Sequence, residues 1–346
     1  MLTLKIKFAI TPLIMRRKRL LGRSTLNYYH MMSRIVSGDF ILGEEEKEFF
    51  KDTMRKLESF MGVRVLTYCL MTNHFHILLE VPEIEWLSDE EILRRIKNFY
   101  SSSRVKEEEL EYRYLKEIAD ESGKGEGLEE WRERFLNRMG DLSNFGKELK
   151  ERFTRWYNWK TDREGTLWSA RFKSVLVEDS ESALSTIAAY IDLNPVRAGI
   201  VDDPKGYRFS GYGEAVSGGI RAREGVCALS QIVRRAEKRS NWSMASKFYR
   251  CHLFSKGEGR GIDSERVKEV LKTGGKLSTQ ELLFCRVRYF SDGMAIGSKG
   301  FVEEVFNTHR EWFGVKRKTG ARQIKKAEAP FFCLRDLRKE PIRAPI

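Results

Sequence analysis

Apolar residues dominate Tyr28 to Val36, which predicts a strand, and Ser37-Gly38-Asp39 supplies the turn after it. From Glu44 to Phe60 the pattern changes. Phe49, Phe50, Met54, Leu57 and Phe60 recur at helical spacing, and carboxylates fill the first turn, where the helix dipole favours them. Val63 to Met71 and Asn73 to Val81 return to strand character, joined at Thr72-Asn73 as an antiparallel hairpin and closed by Pro82. Leu87 to Gly140 is highly charged and helical in pattern, with a break over Ser122-Gly123-Lys124-Gly125-Glu126-Gly127. Asp141 to Trp159 predicts a helix whose buried face carries Leu142, Phe145, Leu149, Phe153 and Trp156. Leu167 to Glu178 predicts a strand with Arg171 and Lys173 on one face and Phe172 on the other. Glu181 to Asn194 predicts a helix ended by Pro195, because the residue before proline is pushed out of the helical region.

The order β-α-β-β-α-β-α defines an α+β protein. Its first six elements form a split β-α-β pair, a ferredoxin-like antiparallel sheet with helices on one face. That unit spans residues 1–218, with 87–140 as a helical insertion. Residues 219–346 read as a helical C-terminal domain, with helices over Leu229 to Lys247 and Ser264 to Thr273. Residues 279–313 read either as a helix-turn-helix or as an ordinary helical hairpin. In the first case Ser298 caps the second helix and, with Lys299, stands at base edges.

His74 and His76 are two apart on a strand, so both imidazoles point to one face and Phe75 to the other. Such a pair can hold a divalent metal, although a bare His-x-His also describes two hydrogen-bonded strand histidines. Tyr190 and Asn194 are four apart on a helix and share a face. Laid over the histidine strand, that face gives a metal held by His74, His76 and the Asn194 carboxamide oxygen, with Tyr190 as nucleophile. A phenol of pKa about 10 is a weak nucleophile near neutrality, and a metal that polarises a scissile phosphodiester supplies the help it needs. Two imidazoles, an amide oxygen and water suit Mg²⁺ or Mn²⁺ in function. On its own, Tyr190 also reads as a packing tyrosine at a helix end.

Charge supports a polyanionic partner. The 346 residues carry a net charge of +13, with 41% hydrophobic and 12% aromatic residues, as expected of a folded chain with a sizeable core. The first 36 residues hold eight basic side chains and no acidic one, including Arg16, Arg17, Lys18 and Arg19. Arg171, Lys173, Arg197, Lys205 and Arg208 are further candidates for backbone phosphate contacts. Tyr207, Phe209 and Tyr212 read as base-stacking or as core aromatics. The five cysteines form no CxxC pair, no apolar run approaches the roughly 18 residues of a membrane span, and the basic cluster follows the apolar start. These features predict a cytoplasmic protein with no membrane partner.

Asn73-His74-Phe75-His76, taken with Tyr190-Ile191-Asp192-Leu193-Asn194-Pro195-Val196-Arg197-Ala198-Gly199, resembles the REP-associated tyrosine transposases of the single-tyrosine, His-hydrophobic-His superfamily. Leu66 to Met71, Gly165-Thr166-Leu167-Trp168, Arg171-Phe172-Lys173-Ser174 and Tyr207-Arg208-Phe209-Ser210 add to the resemblance, which runs from Tyr28 to Tyr212. It implies cleavage and joining of single-stranded DNA near palindromic hairpins through a 5′-phosphotyrosine intermediate, with Mg²⁺ or Mn²⁺. Tyr190 matches the nucleophile, His74 and His76 the metal pair, and Asn194 the third ligand. Relatives occur as monomers and as dimers that exchange the tyrosine helix. The competing expectation is a catalytically silent DNA-binding regulator on the same scaffold.

Overall fold

The computed structural model describes residues 19–84, 86–229, 242–254, 264–273, 276–324, 331–335 and 342–343. Four strands and two helices build the predicted unit. The strands are β1 (Leu26–Arg34), β2 (Arg64–Leu70), β3 (His74–Pro82) and β4 (Lys173–Val177); α1 is Glu44–Met61 and α5 is Leu142–Thr161. The strands pair antiparallel in the order β2-β3-β1-β4, the ferredoxin-like arrangement. Between β3 and α5 the insertion folds as α2 (Asp89–Phe99), α3 (Ser102–Ser122) and α4 (Glu126–Leu136), with the predicted break at the left-handed Gly123.

The two sheet faces are filled differently. On the Phe75 face, α1 and α5 close a dry aromatic core in which the Phe50, Phe75, Phe153 and Trp168 rings meet within 4.9–6.3 Å of one another. On the histidine face lies α6 (Glu181–Asp192), capped at its start by Ser180, whose Oγ accepts from the Ala183 N–H. Leu193 interrupts the helix, and a short turn, α7 (Asn194–Arg197), follows with Pro195 in its first turn. Proline therefore opens a new turn here instead of only closing the old one, because a first-turn N–H has no intrahelical partner to lose. Asp192 pins α6 to the sheet. It accepts from Thr67 Oγ1 (2.9 Å), Tyr212 N (3.1 Å) and the Tyr249 hydroxyl (2.5 Å).

After α8 (Gly211–Val216), α9 (Ile220–Ala228) lies directly on β2. A Cβ at Gly225 would sit 2.4 Å from the Leu66 carbonyl oxygen. The helix α10 (Trp242–Leu253) supplies Tyr249.

The C-terminal region departs from expectation in two ways. It is not purely helical. Strands β5 (Arg286–Val287) and β9 (Ile342–Arg343) form a separate antiparallel pair. Strand β6 (Ala295–Gly297) pairs parallel with the open edge of β4, and β8 (Phe332–Cys333) and β7 (Arg322–Gln323) extend one sheet to seven strands. Nor is 279–313 a helix-turn-helix. Helices Thr279–Phe284 and Arg288–Asp292 are short, β6 follows, and Lys299–Thr308 comes after it. The unpaired edge of β4 outcompetes helix over Ala295–Gly297, because main-chain groups left open at a sheet edge take a partner when one is near. The expected helix from Leu229 to Lys247 falls mostly outside the described residues, and its last residues lie within α10. The expected strand from Leu167 begins only at Lys173. Residues 167–172 form a loop tied to β1 through an Ile35–Trp168 bridge.

Candidate active site

Register decides which side chains share the tyrosine face. Across β1 and β3, Arg34 lies opposite His74, Met32 opposite His76 and His30 opposite Leu78, so these residues project together toward α6. The His74 and His76 rings stand 5.2 Å apart, and the Tyr190 ring lies 6.4 Å from His76 and 6.3 Å from His30. The early imidazoles and the late phenol do converge.

Hydrogen bonds set the tautomers of all three imidazoles. His30 Nδ1 lies 2.7 Å from the Phe290 carbonyl oxygen, which can only accept, so Nδ1 carries the proton. Burial pushes the His30 pKa down to about 4, so the ring is neutral and its Nε2 is a lone pair. His76 Nδ1, 2.8 Å from that Nε2, must then donate. His74 Nδ1 donates to Asn73 Oδ1 (2.7 Å), whose amide is oriented because its nitrogen donates to the Gly38 carbonyl (3.0 Å). Each of the predicted ligands is thereby left with a bare Nε2, and among the described residues neither Nε2 makes a hydrogen bond. Burial also lowers the pKa of both, His74 to about 4 and His76 well below its ordinary value. Neutral rings with one nitrogen held by a partner are the form that binds metal. Sequence reasoning missed His30: one histidine in an apolar strand shows no sign of its neighbour until the register is known.

Tyr190 is held by Arg197. The guanidinium lies 4.1 Å from the phenol ring centroid and donates to the Tyr190 carbonyl (2.6 Å) and to the Leu283 carbonyl (2.6 Å). Burial raises the phenol pKa, opposed by the charges of Arg197 and Arg286. Arg197, expected at a DNA backbone, is half-buried here against the Tyr190 ring and two main-chain carbonyls. Asn194 donates its amide nitrogen back to Tyr190 O (3.3 Å) and Ile191 O (3.0 Å), leaving Oδ1 without a partner among the described residues. No cluster of three or more His, Cys, Asp or Glu side chains among the described residues is arranged to hold a metal, so the paired imidazoles are the donors that the geometry brings together.

The site is closed. Tyr190 is 3% exposed and His76 7%, while His74 is half-buried. The cover is the segment around Phe290, whose ring packs 5.0 Å from that of Tyr190.

The remaining candidates are spread out. Arg19 is half-buried, its guanidinium 3.7 Å from the Phe172 ring centroid. Arg171 is exposed, and Lys173 is exposed but paired with Asp292 (2.5 Å). Lys205 lies 3.6 Å from Asp203, and Arg208 pairs with Glu48. Ser298 caps its helix as expected, its Oγ accepting from Phe301 N. It also donates to Glu178, from both Oγ and N, which ties it to the sheet instead of to a base edge. Lys299 is exposed. Arg16, Arg17 and Lys18 lie outside the described residues. Tyr207, Phe209 and Tyr212 are core aromatics, and the Tyr207 hydroxyl donates to the Leu70 carbonyl (2.6 Å). No helix among the described residues is long and apolar enough to cross a membrane.

Residues 23–119 match the family model of IS200-like transposases. The matched segment contains His30, His74 and His76, while Tyr190 lies beyond it. Among solved structures, one titled as a REP-associated tyrosine transposase bound to a REP hairpin is 14% identical, covers 59% of this chain and 86% of its own, and superposes with a TM-score of 0.37. No curated protein matches. The resemblance read from the motifs is met by the family model over that segment.

Proposed function

Taking the IS200-like transposase match over residues 23–119 as the premise, we propose that this chain cleaves and rejoins single-stranded DNA at palindromic or hairpin sequences through a 5′-phosphotyrosine intermediate. The observation that carries the reading is the approach of the Tyr190 ring to the His76 imidazole, beside which His74 stands, from elements more than a hundred residues apart in sequence. The Tyr190 oxygen attacks the scissile phosphorus and loses its proton. The new bond joins tyrosine to the 5′-phosphate, the bond to O3′ breaks, and the 3′-hydroxyl leaves with a proton. Attack by a 3′-hydroxyl on the same ester reverses the step and joins strands. Because the phosphate bond is exchanged and not hydrolysed, rejoining needs no added energy source.

His74 and His76, through Nε2, and the Asn194 carboxamide oxygen are the donors proposed for Mg²⁺ or Mn²⁺. A divalent ion bound there would polarise the phosphate and favour the phenolate. His30 fixes His76 in its metal-binding tautomer, and Arg197 holds the tyrosine ring while opposing the rise in its pKa. For a phosphate to reach the phenol, the segment carrying Phe290 must move aside.

That cover also favours a second reading, a DNA-binding regulator whose tyrosine is never presented. The two part in one assay. With Mn²⁺ and a labelled hairpin-bearing single strand, the first predicts a protein–DNA adduct that survives denaturant. The second predicts binding with intact strands. Free 5′-phosphate ends without adduct would replace both with a water-using nuclease.

A further inference from the structure

On the sheet face away from Tyr190, a groove of about 800 Å³ runs between α5 and the loop 165–172. Lys147, Lys150, Glu151, Thr154 and Arg155 line it from one stripe of α5, at the spacing that puts side chains on one helix face. The opposite stripe of α5, Phe145, Leu149 and Phe153, is buried in the core. Arg171 enters from the loop and Arg19 from the chain before β1, so five cations face a single lining carboxylate, Glu151.

The walls are firmly held. Lys150 donates to Ala170 O (2.7 Å), Trp168 Nε1 to Thr154 Oγ1 (2.9 Å), and Arg19 to Ser143 Oγ (2.5 Å). Phe172 seats on Gly146, where a Cβ would stand 2.3 Å from the ring. Elsewhere the same chain neutralises its arginines. In the helical insertion Arg94 and Arg95 pair with Glu91, Arg132 with Asp89, and Arg134 with Glu108 and Glu111. Within the described residues none of the five groove cations forms an ion pair. Like charges gathered with little counter-charge repel, and the cost is offset when a polyanion binds.

We propose that this groove holds the sugar-phosphate backbone of the nucleic acid on which the protein acts, as a second contact surface separate from the tyrosine site. The loop that forms its wall bonds to the end of β1, Ser169 N to Arg34 O (3.0 Å) and Val36 N to Leu167 O (2.8 Å), and Arg34 lies opposite His74. Groove and imidazoles therefore adjoin the same end of the sheet, so backbone gripped on one face is close to the chemistry on the other. Contacts of this kind set position without reading sequence. The proposal rests on the nucleic-acid reading but not on cleavage.

The test measures binding of the full chain to a labelled hairpin-bearing single strand across a salt series, with Lys150→Gln, Arg155→Gln and Arg171→Gln singly and together. Each substitution is expected to weaken binding to unrelated sequences alike and to reduce the slope of log affinity on log salt by about 1 for each phosphate no longer neutralised. Lys150→Arg keeps the charge and should retain the slope, which separates a missing charge from a misfolded chain. Arg94→Gln in the insertion should leave the slope unchanged. An unchanged slope in the triple variant, with wild-type affinity, would overturn the proposal. Adduct formation without a groove effect would spare the tyrosine chemistry and reject the groove. A groove effect without adduct would do the reverse.

Discussion

The two faces of the central sheet use polar groups in opposite ways. Around Tyr190 they are largely buried and held from behind: His30, His76 and Phe290 form one chain of hydrogen bonds, and Asp192 ties the tyrosine helix to three other elements, while the His74 and His76 Nε2 atoms and the Asn194 oxygen stay bare among the described residues. Around α5 five cations line one groove, and within the described residues none of them forms an ion pair, although Lys150 and Arg19 hydrogen-bond to the walls. Buried satisfied networks fix geometry, since an unpaired polar group there is costly. Open unbalanced charge gives reach and salt-dependent affinity but little precision. On the proposed function, the difference separates positioning of the reacting atoms from gripping of the substrate.

Substitutions that strike one face should spare the other. The largest effect is expected from Tyr190→Phe, which removes the proposed nucleophile. Covalent adduct should vanish in a denaturing gel while affinity for the hairpin strand stays near wild type. Next is His30→Ala, which frees the tautomer of His76 without removing a proposed ligand. Loss of a partner of that kind typically costs about 10–100-fold in metal affinity, readable by Mn²⁺ titration, and the salt slope of DNA binding should not change.

The framework of both faces was legible in the sequence, and their details were not. The β1-α1-β2-β3 run and α5 carry long, strongly patterned apolar stripes, so their type and order are plain, and His74, His76 and Tyr190 stand out only as paired motifs, since each alone also reads as an ordinary packing residue. His30 gained meaning only through its register beside β3. Arg197 looked like a surface cation because its partners are main-chain carbonyls, which leave no mark in a sequence. Strand β6 is three residues long, too short for any periodicity, and forms because β4 offers an open edge. The groove was only partly visible. Arg19 and Arg171 read as separate basic residues, and Lys150 and Arg155 lie off the apolar face of their helix, but nothing in the sequence brings them to one groove with the loop 165–172.

Gly146→Ala tests the groove's wall. The added methyl meets the Phe172 ring, and overpacking of this kind costs about 1–3 kcal/mol, visible as a lowered thermal midpoint with the tyrosine site intact. The smallest expected effect is on pH dependence. Burial, with the charges of Arg19 and Arg171, brings the Lys150 ammonium down to about 8 from 10.5. Between those values the unfolded chain binds more protons than the native one, so this lysine makes stability rise with pH across that window. A bound polyanion favours the charged amine, so binding takes up a proton there and affinity weakens as pH rises through about 8. Lys147, Glu151 and Arg155 face the same groove, and Lys150→Arg should flatten the change.

The account depends most on the phenol of Tyr190 being the atom that takes the phosphate. Mass mapping of the denaturant-stable adduct, formed with Mn²⁺ and a hairpin-bearing single strand, measures that directly. The account predicts nucleotide mass on the peptide containing Tyr190, and none on any peptide of the Tyr190→Phe protein. Nucleotide on a different residue, or an adduct that persists in that variant, would contradict it.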